Sequence, residues 1–377
     1  MSVKVDPNLM KELKHFGLKD ANKCFHCGNC TAVCPLSTPE NPFPRKLVKY
    51  AQMGLKDKIL AAPEPWLCYY CGDCSDRCPR GADPGETMMA MRRYLTAQYD
   101  WTGFARRFYT SEAFEVIAVS VVAMIIGLAF MIFHGEVITD RVALNTFAPN
   151  WIIEILDWIM AVVLSTVLLS NALRCAQFVF GQDLLFKIPI KYYIGEAKDG
   201  IINFLVQKKF SECDDRMQWY IHLLLFTGYV SMFTMVVVGL RWLQRDYVID
   251  PAWPTVTFLM TVVGWYATLA IMYASSYALW GRYKKSKAPY KNSHGTDWMF
   301  LVLLWLTSFT GILVHLAIWF EAPLFCYVIY VIHLMVAIPM LVLEVPFAKW
   351  AHLAYRPLVL YLMAVKNRYM AEEAKAA

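Results

Sequence analysis

The sequence predicts a predominantly all-α protein in two parts, a small polar head followed by a bundle of six membrane-crossing helices. Three observations carry this expectation. Cysteines concentrate in two matching runs, CFHCGNCTAVCP and CYYCGDCSDRCP. Long apolar stretches begin only near Phe114, and six of them follow. A chain of 377 residues that is 58% hydrophobic, with a mean hydropathy of +0.39, is too apolar for an ordinary soluble protein.

Each cysteine run has the spacing C-x2-C-x2-C-x3-C-P. This is the bacterial ferredoxin pattern, in which three closely spaced thiolates grip one cubane and the fourth, on a turn before proline, reaches the neighbouring cluster. Two 4Fe-4S clusters are therefore expected. Cys24, Cys27, Cys30 and Cys78 would hold the first, and Cys68, Cys71, Cys74 and Cys34 the second. Structural zinc also uses C-x2-C pairs, but two such pairs would leave the remaining cysteines, Pro35 and Pro79 unexplained. Cys175, Cys213 and Cys326 stand alone, and nothing suggests disulfides. Free thiolates point to a reducing compartment, so the head is expected in the cytoplasm. The opening MSVKVDPNLMKELKHFG has no apolar core of signal-peptide length.

The head is expected to span residues 1–112. A short helix is read over 8–16, and another in PFPRKLVKYAQMGLKDKIL, entered through Pro44, interrupted near Gly54, and turning Leu47, Val48 and Tyr50 inward. A third is read over 87–97. Arg92, Arg93, Arg106 and Arg107 then read as anchors at the membrane edge.

A spanning helix needs about 20 largely apolar residues. Stretches at about 114–133, 151–172, 219–240, 255–280, 298–320 and 324–350 qualify, giving a membrane domain over 113–355 and a cytoplasmic tail over 356–377. Residues 174–217, 281–297 and 349–377 together carry 17 Lys and Arg, against 3 in 134–150, 241–254 and 321–323. That asymmetry places both termini in the cytoplasm, in an inner-membrane, multi-pass arrangement. Leu184 to Phe210, with apolar and basic residues at helical spacing, reads as a helix lying along the inner surface.

Histidines inside spans are costly enough to need a reason. His222 and His352 fall near the inner face, His315 and His333 toward the outer one. The 19 residues from His333 to His352 correspond to about 28 Å of continuous helix, nearly a full hydrocarbon core. Pairing by depth gives His222 with His352 for an inner b haem and His315 with His333 for an outer one. His294, in KNSHGTDW at an inner boundary, is a candidate quinone hydrogen-bond donor.

These residues resemble known families along nearly the entire chain. The head resembles the small iron-sulfur component of heterodisulfide reductases, their C subunit, including the PRK at 44–46. The membrane part is similar to gamma-type cytochrome b subunits of respiratory nitrate reductases: His333, then VPFAKWAH ending at His352, matches their last haem-bearing helix. That family takes its other two ligands from one earlier helix. Here His222 is present but Met232 stands where the second would fall, so His315 takes its place. The fusion most resembles the C-type membrane components of quinone-interacting membrane-bound oxidoreductases of sulfate reducers. The resemblance implies a ferredoxin-like two-cluster helical iron-sulfur head followed by a six-helix transmembrane cytochrome b bundle. It further implies haem b, menaquinone as substrate, cytoplasmic flavin and iron-sulfur partners like the A subunit of heterodisulfide reductases, and adenylylsulfate reductase as the indirect recipient.

The expected function is that of a quinol-dependent oxidoreductase component passing electrons between lipid and water. No hydrolytic constellation or Gly-rich nucleotide loop stands out, so any flavin belongs to a partner, and no nucleic acid is expected. The alternative is a passive electron-wiring anchor of another heterodisulfide-reductase-like complex. Ion translocation is disfavoured: Glu154, Asp157 and Glu344 are acids within the spans, but no continuous polar helix face accompanies them.

Overall fold

A computed structural model describes residues 4–207, 210–211 and 215–376, and it contains no strand among them. Cys213 lies outside the described residues, as do Lys208 and Lys209 of the inner connection. In the head, Leu9–His15 buries Leu9 and Leu13, and Arg45–Gln52 buries Leu47, Val48 and Ala51, while Tyr50 is half-buried. Gly54, at φ 70°, follows that second helix where the Asp6 carbonyl presses on it too closely for any Cβ. The third helix, Pro84–Tyr99, starts with Pro84 in its first turn and with the Asp83 carboxylate accepting from the Glu86 amide at 3.2 Å. It is buried on nearly every side, because it separates the cysteine loops from the membrane helices.

Six helices are long and apolar enough to cross a membrane: Glu112–Phe133, Asn150–Phe180, Arg216–Leu243, Pro254–Lys284, Gly295–Trp319 and Pro323–Phe347. Each contains or closely overlaps an expected stretch. The second is much longer than its apolar core and continues past Ala172, so that Cys175, Ala176, Val179 and Phe180 reach the head. The inner connection forms Gln182–Lys187 and Ile190–Val206, the latter packed along the last helix of the chain.

The sixth span departs from the expectation of one helix carrying both His333 and His352. Its α-helix ends at Pro339, widens into a π-helical turn over Met340–Glu344, resumes for Val345–Phe347 and breaks at Ala348. Pro346 explains the disturbance, since it offers no amide to the preceding turn. His352 therefore opens a separate helix, His352–Ala376. That last helix buries Tyr355, Val359, Leu362 and Val365 in the same core as Trp66, Tyr94 and Tyr99 of the head. Tyr355 lies 5.2 Å from Trp66 and 5.5 Å from Tyr99, centroid to centroid. The head thus shares one hydrophobic core with the last helix and with the inner end of the second span.

Candidate metal centres

The two cysteine loops have the same backbone. His26 and Tyr70 take positive φ of 63° and 58°, and Gly28 and Gly72 follow at 95° and 97°. The left-handed turn lets each loop fold back on itself, which a Cβ at the glycine would hinder. Amides then point at sulfur: His26 N–H donates to Cys24 Sγ at 3.4 Å, Tyr70 N–H to Cys68 Sγ at 3.3 Å and Ala82 N–H to Cys78 Sγ at 3.3 Å. The runs also cross. Cys30 has Cys24, Cys27 and Cys78 as thiol neighbours, and Cys74 has Cys68, Cys71 and Cys34. The latter four together line a small cavity with Tyr70 and Met88. Among the described residues no three His, Cys, Asp or Glu are gathered tightly enough for a single metal ion. Two sets of four thiols, each drawing on both runs, are the donor sets that two cubanes would take. Burial pushes the free Cys34 thiol up to about 12, so the positive charge of bound iron is what would favour the thiolate.

His222 and His352 are brought together edge-on, their ring centroids 6.4 Å apart and their planes inclined at 64°. Two imidazoles on opposite sides of one metal, with metal–nitrogen bonds of ~2 Å, place their centroids roughly 6 Å apart. Both Nδ1 atoms are already engaged. Gln207, left-handed at the end of Ile190–Val206, puts its Oε1 2.8 Å from Nδ1 of His222, and the Lys349 carbonyl lies 2.5 Å from Nδ1 of His352. Such contacts fix the tautomer and leave Nε2 for a ligand. Burial also pulls His352 down to about 3, keeping the ring neutral as ligation needs. Both rings line a cavity of about 370 Å³ walled by Trp66, Tyr69, Tyr229, Phe300 and the cations Arg92 and Arg356. Aromatic walls, two neutral imidazoles and cations fit a flat apolar macrocycle with acidic tails.

The outer pair is arranged differently. His333 has Nδ1 2.9 Å from the Thr310 hydroxyl, and its ring lies against Gly311. His315 packs edge-on to Trp265 and Trp319, and its buried Nε2 has no hydrogen-bond partner. The two therefore occupy neighbouring helices without the ring contact of the inner pair. His294 is the N-cap of the fifth span: its Nδ1 accepts from the Thr296 amide at 3.3 Å while Asp297 accepts from the His294 amide. Burial holds its imidazole down at about 4.

Arg92 and Arg93 correct the reading of a membrane-edge anchor. Both point inward, because the helix that carries them is enclosed by the head and the bundle. Arg93, 5% exposed, donates to Glu86 and to the Phe16 carbonyl, each at 2.8 Å, and lies 3.8 Å from Asp297 of the fifth span. Lys349 completes the group by pairing with Asp297. Arg92 bonds the Pro65 and Cys68 carbonyls, and burial pulls it only to about 10, so it stays charged. Removing one member of a buried ionic group typically costs about 3–5 kcal/mol. Arg93→Met is expected to lower stability by roughly that amount, read from the denaturant dependence of the helical circular-dichroism signal. Arg106→Met, which breaks a half-exposed pair with Glu12 and the contact of the guanidinium with the Phe16 ring, should cost only about 1 kcal/mol.

Residues 20–82 match the 4Fe-4S dicluster domain family. The chain is 34% identical over 88 residues to a heterodisulfide reductase C-subunit-like protein of Archaeoglobus profundus, covering 23% of this chain and 47% of that one. It is 38% identical over 64 residues to the C subunit of the H(2):CoB-CoM heterodisulfide,ferredoxin reductase of Methanothermobacter thermautotrophicus, covering 17% of this chain and 34% of that one. The corresponding protein of Methanothermobacter marburgensis gives the same figures. The chain thus spans less than half the length of the curated relatives it matches. No solved structure matches it.

Proposed function

We propose that this protein is a membrane electron-transfer subunit linking the menaquinone pool, through b haem and two 4Fe-4S clusters, to cytoplasmic flavin and iron-sulfur subunits. The observation that carries the reading is the shared wall between the two candidate centres. Tyr69, next to Cys68, stacks on Phe210 at 5.0 Å, and Phe210 lies edge-on to His222 at 5.6 Å. Arg356 sits over Tyr69 at 3.5 Å and donates to the Leu67 carbonyl at 3.2 Å, while also lining the His222–His352 cavity. One contiguous set of side chains therefore joins the second cysteine set to the imidazole pair.

Bound haem and cubanes would supply the one-electron chemistry. His222 and His352 would hold the macrocycle, with Gln207 and the Lys349 carbonyl orienting their rings, and Arg92 and Arg356 on the cavity wall would be available to its acidic groups. The second thiol set is the inner one. The first, with Cys27 exposed and Phe25 59% exposed beside it, faces water, where an iron-sulfur or flavin partner can dock. Association with other heterodisulfide-reductase-like subunits is supported by the relatives of the head. A place in sulfate respiration, with adenylylsulfate reductase as indirect recipient, rests on the resemblance of the fused modules. His315 and His333 are proposed as the outer haem ligands, and the cytoplasmic placement of the head rests on the charge asymmetry of the loops.

A menaquinol analogue added anaerobically to the detergent-solubilised protein is expected to reduce the haem and then the clusters, and a quinone-site inhibitor to block both. Haem reduction only through a reduced donor acting on the head would support the passive anchor instead.

A further inference from the structure

Two carboxyl groups face each other inside the bundle, on the side toward the head. Glu115 lies one turn into the first span and is 2% exposed; Glu344 ends the π-helical turn of the sixth span and is fully buried. Neither oxygen of Glu344 has a hydrogen-bond donor, and Oε1 of Glu115 has none either. Their contact is with one another, across two spans that pack together. Carboxylate oxygens only accept, so facing carboxyls become a hydrogen bond when one of them carries a proton. Two bare charges in an apolar bundle would repel at close range without either being solvated.

The surroundings connect this pair to the candidate haem cavity. The charged and titratable groups that face it are Glu112 on its own span, Asp297 of the fifth span, Lys349 beyond the sixth and the phenol of Tyr109 from the preceding helix. Asp297 and Lys349, paired with each other, also line the cavity between His222 and His352. Charge gained in that cavity is therefore felt at the carboxyls through a low-dielectric interior.

We propose that Glu115 and Glu344 form a redox-linked proton site, taking up one proton when one electron enters the cavity and releasing it when that electron leaves for the clusters. The proposal rests on the haem reading above. The electron comes from quinol, whose oxidation yields two electrons and two protons: each electron passes singly through the cavity, one proton rides on the pair while an electron is held and returns to water as that electron leaves, and the only bond made or broken at the pair is O–H. Such a site neutralises the charge added to an apolar interior.

The test is a redox titration of the haem in the full-length protein across neutral pH, in the wild type, Glu344→Gln, Glu115→Gln and the double variant. Coupled one-electron, one-proton chemistry makes the midpoint fall by up to ~59 mV per tenfold drop in proton concentration. The wild type is expected to approach that slope, and each variant to flatten it with haem content unchanged. Equal slopes in wild type and variants overturn the proposal. Infrared difference spectra of the wild type provide a second readout that needs no variant to fold. A protonated-carboxyl band that shifts in heavy water and changes on reduction supports the site, and its absence counts against it. A protein that binds no haem at all defeats the earlier reading instead. In that case a pH-induced carboxyl band still reports whether the pair holds a proton.

Discussion

Replacing His222 or His352 by alanine is expected to abolish the haem absorbance of the inner cavity while leaving the iron of the head in place. Each ring has Nδ1 engaged, by Gln207 or by the Lys349 carbonyl, so each has one nitrogen for the metal and no neighbouring imidazole to substitute. Without either imidazole a bound macrocycle would keep only one protein ligand. Gln207→Ala should be milder, because it frees the ring without removing the ligand; orienting partners of this kind are typically worth about 10–100-fold in affinity. The measurement is a reduced-minus-oxidised spectrum with extracted haem quantified per chain. His333→Ala, run beside them, reports the outer site separately. Haem unchanged in both His222→Ala and His333→Ala would remove the ligand assignment.

Cys34→Ser is expected to eliminate the same cluster signal as Cys74→Ser, and Cys78→Ser the same one as Cys30→Ser. Each substitution should drop iron from about eight to about four atoms per chain. A sequence-local arrangement predicts the opposite grouping, with Cys34 following Cys30. The crossed arrangement is what the thiol neighbours of Cys30 and Cys74 favour. Paramagnetic resonance of the reduced protein is expected to distinguish the two, since Cys68 of the second set lies beside the Arg92 and Arg356 charges and Cys27 of the first is exposed.

Much of this architecture could be read in the chain because its signals are local. A run of twenty apolar residues announces a span by itself, and CFHCGNC repeated as CYYCGDC announces a pair of cluster-binding loops; the left-handed turn at Gly28 and Gly72 came only with the structure. What escaped reading depends on contacts between distant segments. Arg92 and Arg93 look like any basic residues before a membrane until Asp297 and the Cys68 carbonyl arrive from elsewhere. Glu115 is an ordinary acid near a span end as far as its neighbours in sequence go, since its partner Glu344 belongs to the last span. The break at Ala348 was only half visible: Pro339 and Pro346 signal disturbance, but not that His352 begins a new helix. His294 carried one usable clue, the Asp297 three residues later that completes a capping box.

The terminal helix, with Tyr355 seated between Trp66 and Tyr99, has a kinetic consequence. A head fused to its membrane part through common packing cannot swing between donor and acceptor as a tethered carrier does. Charge movement within the molecule then proceeds over fixed separations and should be indifferent to solvent viscosity. Any viscosity dependence of turnover would belong to the encounter with the soluble partner.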